Sequence, residues 1–282
     1  MLNPDALLPP EMAQKAEKVG ASKAAMDAVP MFFLAVLAGA FIALGALFAT
    51  VVTAGASGML PYGVTRLLAG VAFSLGLILV VVGGAELFTG NTMIALAWAG
   101  GKVRWTALLR NWIIVYTGNF VGALGTALLV FLGKQYTFGA GAVGKGALST
   151  AALKCDLDFV QAVALGILCN GLVCLAVWLT YSARSTTDKI MSIIFPVSAF
   201  VAAGFEHSIA NMYFIPMGLF IKNFDSSWAK HTEVNLTALN WENFLLKNLL
   251  PVTIGNIIGG AVLVALMYWF IYMRSLPEKP DR

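Results

Sequence analysis

Apolar residues run along this chain in long blocks rather than in alternation. Charge-free stretches cover residues 28–65, 67–85, 111–133, 159–183, 190–205 and 248–273. Two of them resume after a short polar interruption, past Glu86 to residue 101 and past Glu206 and His207 to residue 221. A bilayer core takes about 20 apolar residues per helix, so the pattern predicts six spans, centred near residues 41, 80, 121, 171, 203 and 261. Ahead of them, residues 11–28 follow Pro9-Pro10 and predict a short helix with Glu11 and Lys15 one turn apart. Its stripe of Met12, Ala16 and Val19 suits an interfacial position. The predicted organisation is an N-terminal segment over 1–27, a transmembrane domain over 28–273, and a tail over 274–282.

Composition agrees with the pattern. Hydrophobic residues make up 59% of the chain and charged ones 11%, with a mean hydropathy of +0.83. Soluble domains carry about 25% charged residues, so a soluble enzyme and a nucleic-acid-binding domain are excluded. The net charge of +4 reflects basic residues between apolar runs, where they act as topology signals. The segments on the side of the termini hold eleven Lys and Arg against seven in the longer opposite loops. That bias predicts both termini in the cytoplasm. The three cysteines (Cys155, Cys169 and Cys174) lack metal-type spacing, and neither a metal nor a cofactor is expected.

The two halves of the chain repeat each other. Glu86 and Asn91 in span two match Glu206 and Asn211 in span five. Gly118-Asn119-Phe120-Val121-Gly122 in span three matches Gly255-Asn256-Ile257-Ile258-Gly259 in span six. Spans one and four share Ala-Val-x-x-Gly, at Ala35, Val36 and Gly39 against Ala162, Val163 and Gly166. The separations are 120 residues for spans two and five, 137 for three and six, and 127 for one and four, and the matches follow the same order in both halves. A repeat of three spans must invert, giving repeats at about 28–133 and 159–273 with helices two and five broken. Inverted repeats with broken helices are a transporter signature, and the substrate site falls where the breaks meet.

Chemistry therefore concentrates at the breaks. Ionisable residues at membrane depth are functional by default. As a symmetric pair, however, Glu86 and Glu206 are expected to satisfy the N–H groups that their own broken helices free, as structural residues with Asn91 and Asn211. Asn119 and Asn256, beside glycines, are expected to hydrogen-bond between close helices. His207 breaks the symmetry, because its partner in the other half is Leu87. Histidine exchanges protons near neutrality, and the Thr89 hydroxyl can serve either ring nitrogen. A Gly-x-Ser-Gly match at Gly55–Gly58 raises a protease reading, but it falls in a turn-like connection with nothing repeated around it.

At these residues the sequence resembles the formate/nitrite transporter family. The resemblance is carried by Val82-Gly83-Gly84-Ala85-Glu86-Leu87-Phe88-Thr89-Gly90 and by Gly166-Ile167-Leu168-Cys169-Asn170-Gly171-Leu172-Val173-Cys174-Leu175-Ala176. It is nearest the formate channels, because Lys154, Asn170, Glu206 and His207 occur together. The resemblance implies an all-α, aquaporin-like integral membrane fold, a homopentamer in the lipid bilayer of the inner membrane, and a pore through each protomer. It implies a channel for small monovalent anions of weak acids, formate first. Nitrite, lactate and hydrosulfide are alternatives within the family, and a neutral-solute channel of the water or glycerol type is one outside it. His207 and Thr89 would form the central site, with Glu206 beside them. Lys154, read as lying in the loop before span four, and Asn170 would draw and position the anion. Phe73, Leu77, Leu87, Phe88, Val173 and Phe200 would line apolar constrictions. Passing a proton from imidazolium to a carboxylate is uphill by roughly 3.4 kcal/mol in water. Desolvation narrows that gap, so proton relay by His207 is the expected mechanism.

Overall fold

The computed structural model describes residues 6–274, which are helical with no strand among them. Of the predicted tail over 274–282, all but Arg274 lies outside the described residues. Pro9 and Pro10 open α1 (Pro9–Ala25), where a missing N–H costs nothing, and the Glu11 carboxylate accepts from Leu8 N at 2.8 Å. Among the described residues, five helices are long and apolar enough to cross a bilayer. They are α2 (Ala28–Val52), α3 (Tyr62–Gly83), α6 (Trp105–Leu132), α8 (Phe159–Ser182) and the last span, Asn243–Tyr272. The last span is wound as α12 (Leu250–Ile257) and α13 (Met267–Tyr272) with π-helical turns before and between them. The predicted span five is instead two 17-residue helices, α9 (Thr186–Ala202) and α10 (Ser208–Phe224). Its counterpart continues α3 through α4 (Phe88–Asn91) into α5 (Ile94–Ala99).

Both breaks are built alike. Gly84 and Gly204 each take φ of +77°, a conformation that L side chains adopt only under strain. The N–H of the next residue then reaches back five positions: Ala85 N to Val80 O at 2.9 Å and Phe205 N to Phe200 O at 3.0 Å. Close helix contacts hold the breaks in place. A Cβ on Gly122 would fall on the Val36 carbonyl of α2, and one on Gly259 would fall on the Ile167 carbonyl of α8.

Two expectations change here. The apolar stripe of α1 faces protein: Met12, Ala13, Ala16, Gly20 and Ala24 are buried, and α1 packs on α5, α6, α8 and α13. Small residues permit that approach, as where Gly20 meets Ala97. Residues 142–155 form α7 (Ala142–Cys155), packed on α10 through the buried Ala147, Leu148, Ala151 and Cys155, so Lys154 sits in a helical last turn.

Candidate pore site

Four hydrogen bonds of one half recur in the other. Lys23 Nζ lies 2.7 Å from Glu86 Oε1, and Lys154 Nζ 2.7 Å from Glu206 Oε1. Asn91 donates to Glu86 Oε2 at 2.7 Å, and Asn211 to Glu206 Oε2 at 2.7 Å. Asn91 also donates to Asn111 Oδ1 at 2.9 Å and Asn211 to Asn248 Oδ1 at 2.7 Å. Asn111 in turn donates to Lys23 O at 3.0 Å, and Asn248 to Lys154 O at 2.9 Å. Each carboxylate is thus 4% exposed yet compensated by one ammonium and at least one amide, as buried charge requires.

The glutamates do not satisfy the freed N–H groups, as the sequence reading had them do. Asn119 Oδ1 accepts from Phe88 N and Asn256 Oδ1 from Ser208 N, both at 2.9 Å. Their amides donate onward to Glu86 O and Ala35 O, and to Glu206 O and Gly166 O. An asparagine carries an acceptor and two donors on one planar group, so it can serve both sides of a break, whereas a carboxylate offers only acceptors.

These bonds also correct the repeat. Asn119 meets Ala35 where Asn256 meets Gly166. Likewise Glu86 N donates to Leu34 O at 3.2 Å and Glu206 N to Leu165 O at 3.3 Å. Spans one and four therefore correspond at 131 residues, four more than the Ala-Val-x-x-Gly match, or one helical turn. At 131, Lys23 falls on Lys154 and Asp27 on Asp158. Each repeat so includes its preceding helix, α1 or α7, which the sequence reading left out. The spacing Lys-x-x-x-Asp before spans one and four was the available signal.

At the centre the breaks meet. Thr89 Oγ1 lies 2.9 Å from His207 Nε2, and both residues are buried. His207 caps α10: its Nδ1 accepts from Ala210 N at 3.1 Å. That bond leaves the proton of a neutral ring on Nε2, aimed at Thr89. Asn170 stands behind the pair, its amide shared among Thr89 O, Thr92 Oγ1 and Asn256 O at 2.7–3.2 Å. Its donors are therefore committed to the scaffold and not turned to a passing anion. Its Oδ1 has no partner among the described residues.

Apolar side chains close both sides. Leu77 and Leu87 floor a vestibule of about 340 Å³ on the α1 side. On the other side the Phe200 ring stacks at 6.1 Å on His207 and meets Phe73 edge-on at 5.8 Å. Val173 is buried one turn past Asn170. Phe88 points elsewhere, edge-on to Tyr116 at 4.9 Å and Trp112 at 6.1 Å of α6, so it packs the broken helix in place. Phe214, unforeseen, stacks on Phe73 at 6.5 Å and lies 5.5 Å under the Lys154 ammonium. Lys154 is accordingly no loop lysine: its side chain is 15% exposed and bound to Glu206. Ser57, of the protease-like match, is exposed, whereas His207 is buried. Among the described residues no cluster of His, Cys, Asp and Glu could hold a metal ion.

Matched helical halves, compensated charges at two depths and a buried hydroxyl–imidazole pair between apolar side chains define a membrane transport protein. The chain belongs to the formate/nitrite transporter family, whose model matches residues 10–270. It is 48% identical over 275 residues to the formate channel FocA of Escherichia coli strain K12, covering 96% of both chains. It is 40% identical over 270 residues to the formate channel FocA of Haemophilus influenzae, covering 94% of this chain and 95% of that one. Among solved structures, a pentameric formate channel with formate bound superposes with a TM-score of 0.81 at 49% identity. That match covers 88% of this chain and 98% of the other.

Proposed function

We propose that this chain is a homopentameric formate channel of the inner membrane, with both termini cytoplasmic and one path per protomer between the Lys23–Glu86 and Lys154–Glu206 pairs. The observation that carries the reading is the Thr89–His207 pair. With its mutual bond opened, it offers a small carboxylate two hydrogen-bond donors, one from each half. The relatives that are formate channels, and the similar pentamer with formate bound, support the same substrate and assembly. A bare carboxylate against Leu77, Leu87, Phe73 and Phe200 costs several kcal/mol, which donors at the centre offset.

Proton relay is the finer part of the proposal, and the cap states its condition. For His207 to give the Nε2 proton to formate and remain a neutral ring, Nδ1 must first take a proton and release Ala210 N–H. A second reading, favoured by the intact 3.1 Å cap, keeps His207 neutral as a donor only. Uptake of radiolabelled formate, nitrite, lactate and hydrosulfide into proteoliposomes, with glycerol swelling alongside, tests the function. Formate should enter fastest, and glycerol permeation exceeding formate uptake would overturn the anion reading. Alkaline phosphatase fused after Arg282 should be inactive in cells if the tail is cytoplasmic.

A further inference from the structure

The vestibule on the α1 side is lined by three lysines, and their ammonium groups are not equivalent. Lys23 is committed to Glu86 at 2.7 Å and Asn91 at 3.0 Å. Lys15 Nζ donates once, to the Tyr181 carbonyl at 2.7 Å, and keeps two N–H groups. The Lys189 ammonium has neither a hydrogen bond nor an ion pair among the described residues and lines the same cavity. Its neighbour Asp188 is turned away to cap α9, accepting from Arg184 N and Ser185 N at 3.0 Å. Burial, and then the nearby Lys189 charge, lower the Lys15 pKa. The mouth therefore holds two cations that repel each other over a cavity of about 340 Å³. That volume lies in the range of small-molecule sites and is far larger than a one-carbon acid needs.

We propose that Lys15 and Lys189 bind a doubly charged oxyanion, a phosphate or a dicarboxylate, which plugs the channel from the α1 side. One negative charge leaves one of the two ammonium groups unmatched, whereas two charges on one molecule match both and relieve their repulsion. Such an anion cannot proceed past Leu77 and Leu87, because desolvating two charges together costs far more than desolvating one. The site thus discriminates by charge: the monoanion passes and the dianion stays.

The test combines binding and flux, so that it does not depend on formate being the right substrate. Inorganic phosphate, and separately succinate, are titrated calorimetrically into the purified full-length protein at fixed ionic strength and pH 7.5. Formate influx into proteoliposomes is then measured with either anion on one face at a time. Binding of one dianion per chain is expected, with inhibition from one face only. Lys189→Gln should raise the half-inhibitory concentration roughly tenfold, equivalent to about 1.4 kcal/mol, while Lys189→Arg leaves it near the wild-type value. Flux without dianion should be unchanged in both variants. Phosphate alone acting would assign the site to phosphate-bearing molecules, and succinate alone to dicarboxylates. Absence of binding heat overturns the site, as does Lys189→Gln binding like wild type or equal inhibition by chloride at matched ionic strength.

Discussion

Lys154 and Glu206 form an ion pair whose side chains are 15% and 6% exposed, and this changes what a substitution there measures. Removing one partner of a buried pair strands the other charge, at about 3–5 kcal/mol, whereas removing both is far milder. Lys154→Met is therefore expected to lower the unfolding temperature in detergent and to reduce formate flux at every salt concentration, and adding Glu206→Gln should restore most of the stability. A flux loss confined to low salt, with stability unchanged, would return Lys154 to the role of a steering charge. Asn256 offers a second test. Asn256→Leu leaves the Ser208 N–H without its acceptor and the Glu206 carbonyl without its side-chain donor, at about 1–3 kcal/mol for each buried group. It should abolish assembly as judged by size-exclusion chromatography, and Asn256→Asp should fare no better, because its second carboxylate oxygen would face the Gly166 and Glu206 carbonyls with no proton to donate. At this scale the sequence showed which residues are exceptional but not whom they meet. His207 stood out because it breaks a repeat, and Thr89 because its hydroxyl lies at the other break. The partners of Glu86 and Glu206 did not, because Lys23 lies on a helix expected to rest at the interface and Lys154 on one that no hydropathy pattern reveals.

The helix of Lys154, α7, escapes the hydropathy pattern for a physical reason. The 14 residues of α7 are too few to span a bilayer, Gly144 and Gly146 lower its helix propensity, and Lys145 lowers its hydropathy. It is helical because Ala147, Leu148, Ala151 and Cys155 are buried, a tertiary cause invisible in a window of sequence. The spans were legible because hydrocarbon thickness fixes their length. The one-turn slip between spans one and four arose because helices of small and branched apolar residues resemble themselves when shifted by four. Contact geometry removes the ambiguity: Gly122 meets Val36 and Gly259 meets Ile167, 131 residues on. Gly259→Ala puts a methyl onto a backbone carbonyl that cannot yield without moving α8. We expect a loss of about 1–3 kcal/mol, read as a lower unfolding temperature, with Gly125→Ala, which meets open space, as the neutral control. The repeat also sets α1 beside α7. Lys23→Met should destabilise in the same sense as Lys154→Met but less, since the Lys23 side chain is 27% exposed. An equal or larger effect would mean that α1 carries more of the fold than its exposure indicates.

Across the whole molecule, symmetry gives each end of the path the same compensated ion pair, so selectivity among monoanions falls to the middle, where the halves differ. Leu87 faces His207 in the repeat, and Thr89 faces Ile209. Each half contributes one polar group to a single hydrogen bond. Substituting His207 separates the two accounts of that centre. Asparagine is among the best N-cap residues, so in His207→Asn the side-chain oxygen can take over Ala210 N–H and keep α10 capped. Its amide still donates toward Thr89, but it cannot carry a transferable proton. If His207 relays protons, the variant should pass formate only as the bare ion. Flux and current measured in the same vesicles would then agree one charge per formate, and the dependence on pH between 5 and 8 would vanish. In the wild type the current should fall short of the flux, because a proton accompanies the anion. A variant that retains the wild-type pH profile and the wild-type ratio of proton to formate would mean that the ring serves as a neutral donor with its Ala210 cap closed throughout, and that the proton enters from the vestibules.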